Sequence, residues 1–156
     1  NKIYLPYIIE KKSLLLDRFE NFLIKALPNS LPKLDIKIHS TMLTSSEHIK
    51  FKENLKKIME IYKNRFSLNP TNEKLSIFLG VTASIFEALE TGTKVIHICS
   101  DPLFQHFNDE IWPNLKTKKY DNGIYFYNLI SLGKYINFGT KNDTLQNTLK
   151  NINVKK

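Results

Sequence analysis

The chain has 156 residues, a formal net charge of +8 and a single cysteine, Cys99. That length suits one domain with a full core. The lone cysteine excludes an internal disulfide, and no apolar run approaches the ~20 residues of a membrane-spanning helix. The excess of Lys and Arg favours anionic partners, although residues such as Lys50, Lys52, Lys56, Lys57 and Lys63 also serve to solvate a helix face. Asn1 to Ile9 lacks a signal-peptide pattern, so a soluble, cytoplasmic domain is expected. The absence of an initial Met points to a piece of a longer polypeptide, with something preceding it.

Lys2 to Ile9 (KIYLPYII) is rich in β-formers and is expected as the first strand, with Pro6 marking either its early end or an edge-like irregularity. From Lys11 to Leu27, Leu15, Phe19, Phe22, Leu23 and Ala26 recur at three- and four-residue spacing, which predicts a helix lying on a sheet. Pro28, Asn29, Ser30 and Pro32 end it, and Leu34 to His39 then alternates apolar and polar as a short strand. A hydroxyl-rich loop, Ser40 to Ser46, leads into a helix capped by Ser45 or Ser46 and running to about Tyr62, with Leu55, Ile58, Met59 and Tyr62 as its buried stripe. Arg65 to Leu68 reads as a brief strand, and Asn69-Pro70-Thr71-Asn72 as a turn.

Leu75 to Ile98 is the stretch around which the rest is arranged. It divides into an apolar strand (Ser76 to Leu79), a turn at Gly80, an amphipathic helix from about Thr82 to Glu90, a stop at Gly92 and a second apolar strand (Lys94 to Ile98). Neither apolar run alternates, as expected of strands covered on both faces, so the two are read as parallel neighbours. Ser100-Asp101-Pro102 then precedes a helix through Phe104, Phe107 and Ile111 that ends before Pro113. Lys116 to Asn122 is a polar connection, Ile124 to Leu129 a strand, Gly133 a turn before the apolar Tyr135 to Phe138, and Asp143 to Ile152 a terminal helix. This alternation predicts an α/β fold: a Rossmann-like, mainly parallel sheet with helices on both faces and right-handed crossovers.

In such sheets ligands sit outside the carboxyl ends of the strands. Two candidate sites lie there. At the Gly80 turn, Thr82 and Ser84 put hydroxyls at the start of a helix whose first amides lack intrahelical partners, an arrangement that suits a bound phosphate as well as it suits self-capping. At the other, His39 and Ser40 follow Lys37-Ile38 at the end of a strand. Converging on one edge, the two would present an imidazole and hydroxyls to a single phosphate.

The Lys-x-His motif closing a strand is followed by Gly-x-Thr-x-Ser, Phe86-Glu87-Ala88-Leu89 and Gly92-Thr93-Lys94-Val95-Ile96. Together these resemble the C-terminal, nucleotide-sugar-binding half of GT-B glycosyltransferases, in particular bacterial sialyltransferase-like and Kdo-transferase-like enzymes of capsule and lipopolysaccharide synthesis. The resemblance covers Asp35 to Ile98. In those groups a His-Pro motif and a Ser/Thr pair grip the nucleotide phosphate, and Ser40 stands here where the family usually has proline. Carried over, the resemblance implies that His39, Gly80, Thr82 and Ser84 bind the phosphate and that Glu87 lies near the ribose hydroxyls. It further implies a nucleotide-sugar donor, with a CMP-sugar as the first to test, a glycan or lipid-linked acceptor, a catalytic base in a preceding half, and no metal or other cofactor. Location would be cytoplasmic, with or without peripheral attachment at the inner membrane.

The other candidates are weaker. His97 lies inside an apolar strand and reads as a core histidine, while His48 and His106 read as residues of polar helix faces. No histidine has zinc-ligand spacing to another or to Cys99. Asp109 and Glu110 diverge on a helix, and Trp112 beside Pro113 reads as a helix-end cap. No Gly-x-Ser-x-Gly elbow, Walker loop or Gly-x-Gly-x-x-Gly fingerprint occurs. The alternative reading is a non-catalytic basic α/β domain that binds nucleic acid or an anionic membrane, with Tyr120, Tyr125 and Tyr127 near Lys116, Lys118 and Lys119 as stacking platforms.

Overall fold

The computed structural model describes residues 1–68, 74–80, 84–99, 115–120 and 124–129. The elements and side chains read between Ser100 and Pro113, at Asn69 to Asn72 and from Gly133 onward lie outside them. The described strands are β1 (Lys2–Tyr4), β2 (Asp35–Lys37), β3 (Leu75–Leu79), β4 (Lys94–Ile98), β5 (Leu115–Tyr120) and β6 (Ile124–Leu129), and the helices are α1 (Lys12–Lys25), α2 (Ser46–Ile61) and α3 (Ser84–Glu90). The strands form one sheet in the order β2-β1-β3-β4-β6-β5. β2, β1, β3 and β4 pair in parallel, and β6 and β5 add an antiparallel edge. The fold is α/β with a mixed, mostly parallel sheet.

Among the described residues the two faces of the sheet are covered unequally. Ile3, Leu75, Ile77, Leu79, Ile96 and Ile98 share one core cluster with Leu15, Phe19, Phe22 and Leu23 of α1 and with Phe51 and Leu55 of α2. Phe78, Val95 and Tyr125 form a smaller cluster with Ile85 and Leu89 of α3 on the other face. Every residue of β3 is buried, which is why its sequence shows no alternation. α1 and α2 also pack against each other, Leu15, Phe19 and Phe22 of the first sharing the larger cluster with Phe51 and Leu55 of the second.

Several local expectations are corrected. The first strand spans three residues rather than eight, and of the two readings of Pro6 the early end holds: the Leu5 amide still donates to the Lys37 carbonyl at 3.1 Å, but Pro6 has no N–H with which to continue the ladder. Arg65 to Leu68 forms no strand; Phe66 makes a single parallel bridge to Leu31, after a 3₁₀ turn over Lys63–Arg65. Leu115–Tyr120, placed within a polar connection on the strength of its lysines, pairs along its whole length with β6. Among the described strands it is the outermost, a place where lysine is common because it discourages further pairing.

His48 is the sharpest correction. It does not lie on a polar helix face but is 3 % exposed, with Nε2 donating to the Pro6 carbonyl at 3.0 Å and Nδ1 2.8 Å from Ser45 Oγ. Ser45 is the N-cap of α2, accepting from the His48 amide at 3.4 Å. α2 is tied to α1 at its other end, where the Tyr62 hydroxyl donates to Glu20 at 3.4 Å. Partial burial and the Glu20 carboxylate hold the Tyr62 phenol above its ordinary range, so the stability that its neutral form contributes is fully present below that range and is lost as the pH rises through the raised value. Because Ser45 both caps α2 and supports the buried His48, Ser45→Ala is expected to destabilise the chain by ~1–2 kcal/mol. Urea unfolding measures this, and an unchanged midpoint would show that neither bond matters.

Candidate functional site

Strand order locates the place to look for a ligand. β1 is followed on one side by β2 and on the other by β3, so the chain reverses direction across the sheet between β1 and β3. At the carboxyl ends of two such strands the connections part and leave a crevice. The exits of β1 and β3 meet there at Pro6 and Gly80. Gly80 has φ 74°, a conformation open to glycine, and a Cβ added to it would lie 2.9 Å from Pro6 Cβ. Its N–H donates to the Ile98 carbonyl at 2.8 Å, and its own carbonyl accepts from Nε2 of the buried His97.

Beside this contact, on the face that α2 leaves uncovered, the described residues line an open cavity of about 490 Å³. That is within the usual range for small-molecule sites. Its floor is sheet: Tyr4 of β1 and Ser76 and Phe78 of β3 line it, with Tyr4 stacked on Phe78 at a centroid distance of 4.6 Å and 7° between the rings. Register explains this, since Tyr4 and Phe78 are Cα partners across the parallel ladder and both point away from α1. One wall comes from the exits of β1 and β2, with Tyr7, Lys37, His39 and Ser40. The facing wall is α3 and the turn after it, with Ser84, Glu87, Thr91 and Thr93. The cation Lys37 and the carboxylate Glu87 therefore stand on opposite walls. Such a site suits a ligand with an anionic part on the β2 side and hydroxyl groups on the α3 side.

His39 is exposed at the cavity wall and is held from two directions. Its side chain caps a 3₁₀ turn over Ser40–Met42: the Thr41 amide donates to Nδ1 at 3.2 Å, and Thr41 Oγ1 lies 2.8 Å from the same nitrogen. The Tyr7 ring stands edge-on to the imidazole at 90° and 5.2 Å.

Of the residues singled out from the sequence, the cavity brings together His39, Ser84 and Glu87. Gly80, expected among the phosphate-binding residues, does not line it: both of its backbone polar groups are already engaged, and it serves to make the turn. Thr82 lies outside the described residues. Lys37 and Ser40, named with His39 in the strand-end candidate, line it too. Tyr4, Tyr7, Ser76, Thr91 and Thr93 were not picked out as site residues; Ser76, a hydroxyl inside an otherwise apolar strand, was the available signal for that face. His97 is buried at 2 % exposure and bonded, as a core histidine should be. Tyr125, offered as a stacking platform for nucleic acid, is buried beneath α3 at 3 % exposure. Among the described residues no group of three His, Cys, Asp or Glu side chains is placed to hold a metal ion, and no helix is long and apolar enough to cross a membrane.

Comparison with protein-family models, with curated proteins and with solved structures finds no match.

The Pro6–Gly80 contact makes a specific demand. Gly80→Ala is expected to cost at least ~1–2 kcal/mol for the left-handed backbone alone, and more because its methyl must displace Pro6. Denaturant unfolding tests this. A variant as stable as the parent would mean that the two exits are not in contact.

Proposed function

We propose that this cavity is the donor-nucleotide site of a GT-B-type glycosyltransferase of bacterial surface carbohydrate synthesis, and that the sheet is the Rossmann-like nucleotide-binding unit of that enzyme. The observation that carries the proposal is the charge and hydroxyl distribution around a cavity at the β1/β3 switch point: Lys37, His39 and Ser40 on one wall, Glu87 on the other. A nucleotide has the complementary layout. Its phosphate would take the Lys37 charge and hydrogen bonds from His39 and Ser40. Its ribose hydroxyls would donate to Glu87, and its planar base has an aromatic surface in Tyr4.

In sugar transfer the bond from the anomeric carbon to the phosphate breaks and negative charge grows on the departing phosphoryl oxygens. Donors already aimed at that position stabilise the transition state more than the ground state and need no reorganisation. This chain's part in the reaction is then to bind the donor and hold the leaving group. Residue resemblance over Asp35 to Ile98 is what directs the choice of base to cytidine, and the donor sugar to an acidic one.

Calorimetric titration with CMP and with UMP, on the parent chain and on His39→Ala, each at two salt concentrations, tests the proposal. Loss of one hydrogen bond to an anion is worth ~1–3 kcal/mol, so His39→Ala is expected to weaken nucleotide binding by about one to two decades. Binding in a defined pocket should change little with salt. No binding of either nucleotide by the parent chain would reject the proposal. Binding that survives His39→Ala but is abolished by moderate salt would favour a polyanion surface instead.

A further inference from the structure

We propose that Thr41 is a positioning residue that holds His39 as its Nε2–H tautomer, so that His39 meets a phosphoryl oxygen as a neutral hydrogen-bond donor. The phosphoryl part of this rests on the nucleotide reading of the cavity; the tautomer does not. A backbone amide can only donate. Since the Thr41 N–H is directed at His39 Nδ1, that nitrogen must offer its lone pair, and the proton of the neutral ring is on Nε2. The Thr41 hydroxyl, 2.8 Å from the same atom, donates to it as well. His39 Nδ1 thus does what the side-chain oxygen of Asn or Ser does at a helix N-cap, and the capping bond fixes the opposite nitrogen as a donor.

The surroundings divide the work of holding an anion. Lys37 on the end of β2 already supplies a full positive charge to the same wall, Tyr7 from the β1 exit packs edge-on against the ring and keeps its plane, and the one carboxylate among the described lining residues, Glu87, stands on α3 across from it. Charge attraction and hydrogen-bond direction are therefore divided between two residues. Lys37 draws the anion in; His39 sets where one of its oxygens sits.

The tautomer is read without any ligand. In nitrogen-15 imidazole spectra of the full chain, recorded where the ring is neutral, His39 should show a protonated Nε2 and an unprotonated Nδ1. An Nδ1–H tautomer, or a rapid mixture of the two, overturns the proposal. Two substitutions then separate capping from ligand contact. His39→Asn keeps an acceptor for the Thr41 amide but puts no donor at the Nε2 position, so stability should be retained while affinity for CMP falls about tenfold or more. His39→Gln should do the reverse, losing the cap and keeping more of the affinity. Thr41→Val retains the amide and loses the hydroxyl; the Nε2–H tautomer should persist, with a loss of CMP affinity of a few-fold as the ring loosens. CMP affinity in His39→Asn equal to that of the parent would reduce His39 to a cap and overturn its donor role. Absence of CMP binding to the parent chain would instead reject the nucleotide reading and leave the tautomer result standing.

Discussion

The contact between Pro6 and Gly80 is the constraint on which the rest of the site depends. It brings the exits of β1 and β3 together at the point where the chain reverses across the sheet, and only a residue without a side chain fits there. Neighbouring elements then anchor to these two backbones. His48 of α2 donates to the Pro6 carbonyl, His97 of β4 donates to the Gly80 carbonyl, and the Ile98 carbonyl takes the Gly80 amide. A proline at this place has no N–H to satisfy, and its carbonyl and that of Gly80 each receive a buried imidazole. Three of the four histidines are thus found with Nδ1 accepting or Nε2 donating, two to seal the switch point and His39 to cap the turn beside it.

Among the described residues the cavity follows from unequal coverage of the sheet. Because α2 joins α1 on one face, the opposite face of β1 and β2 carries neither, and α3 lies over β3, β4 and β6 through Phe78, Val95 and Tyr125. Side chains that would otherwise be core, Tyr4 and Ser76, become the floor of a groove. The identity of those residues follows from register: alternate positions of β1 and β3 face α1 with Ile3 and Ile77, and the positions between them face the groove. Binding chemistry here is built on sheet and on short strand exits braced by hydrogen bonds, which is the kind of support that keeps ligand groups in place.

The β3-α3-β4 unit was legible because burial on both faces leaves uninterrupted Ile, Val, Phe and Leu runs, and α1 and α2 because their buried stripes recur at helical spacing. β5 was not. Its lysines look like a solvated connection, and only pairing with β6 at the sheet edge makes them strand residues. His48 was misplaced for a related reason: its neighbours Glu47 and Lys50 are polar, and the carbonyl that requires it is at Pro6, far away in sequence. The early end of β1, by contrast, was one of the two readings that Pro6 offered, because a proline lacks the N–H that would continue the ladder. In the site, His39 and the α3 residues could be named from their positions at strand and helix ends. Tyr4 and Ser76 could not, since their membership depends on which face of the sheet the described helices leave open.

The central claim is that ligand binding occurs at the β1/β3 switch point on the α3 face. Amide chemical-shift mapping of the full chain during titration with CMP tests it most directly. The account predicts perturbations concentrated at Tyr4 to Tyr7, Lys37 to Thr41, and Ser84 to Thr93, with α1 and α2 little affected apart from the turn at Ser45 to His48. Perturbations centred instead on the exposed faces of α1 and α2, or on the β5–β6 edge, would contradict it.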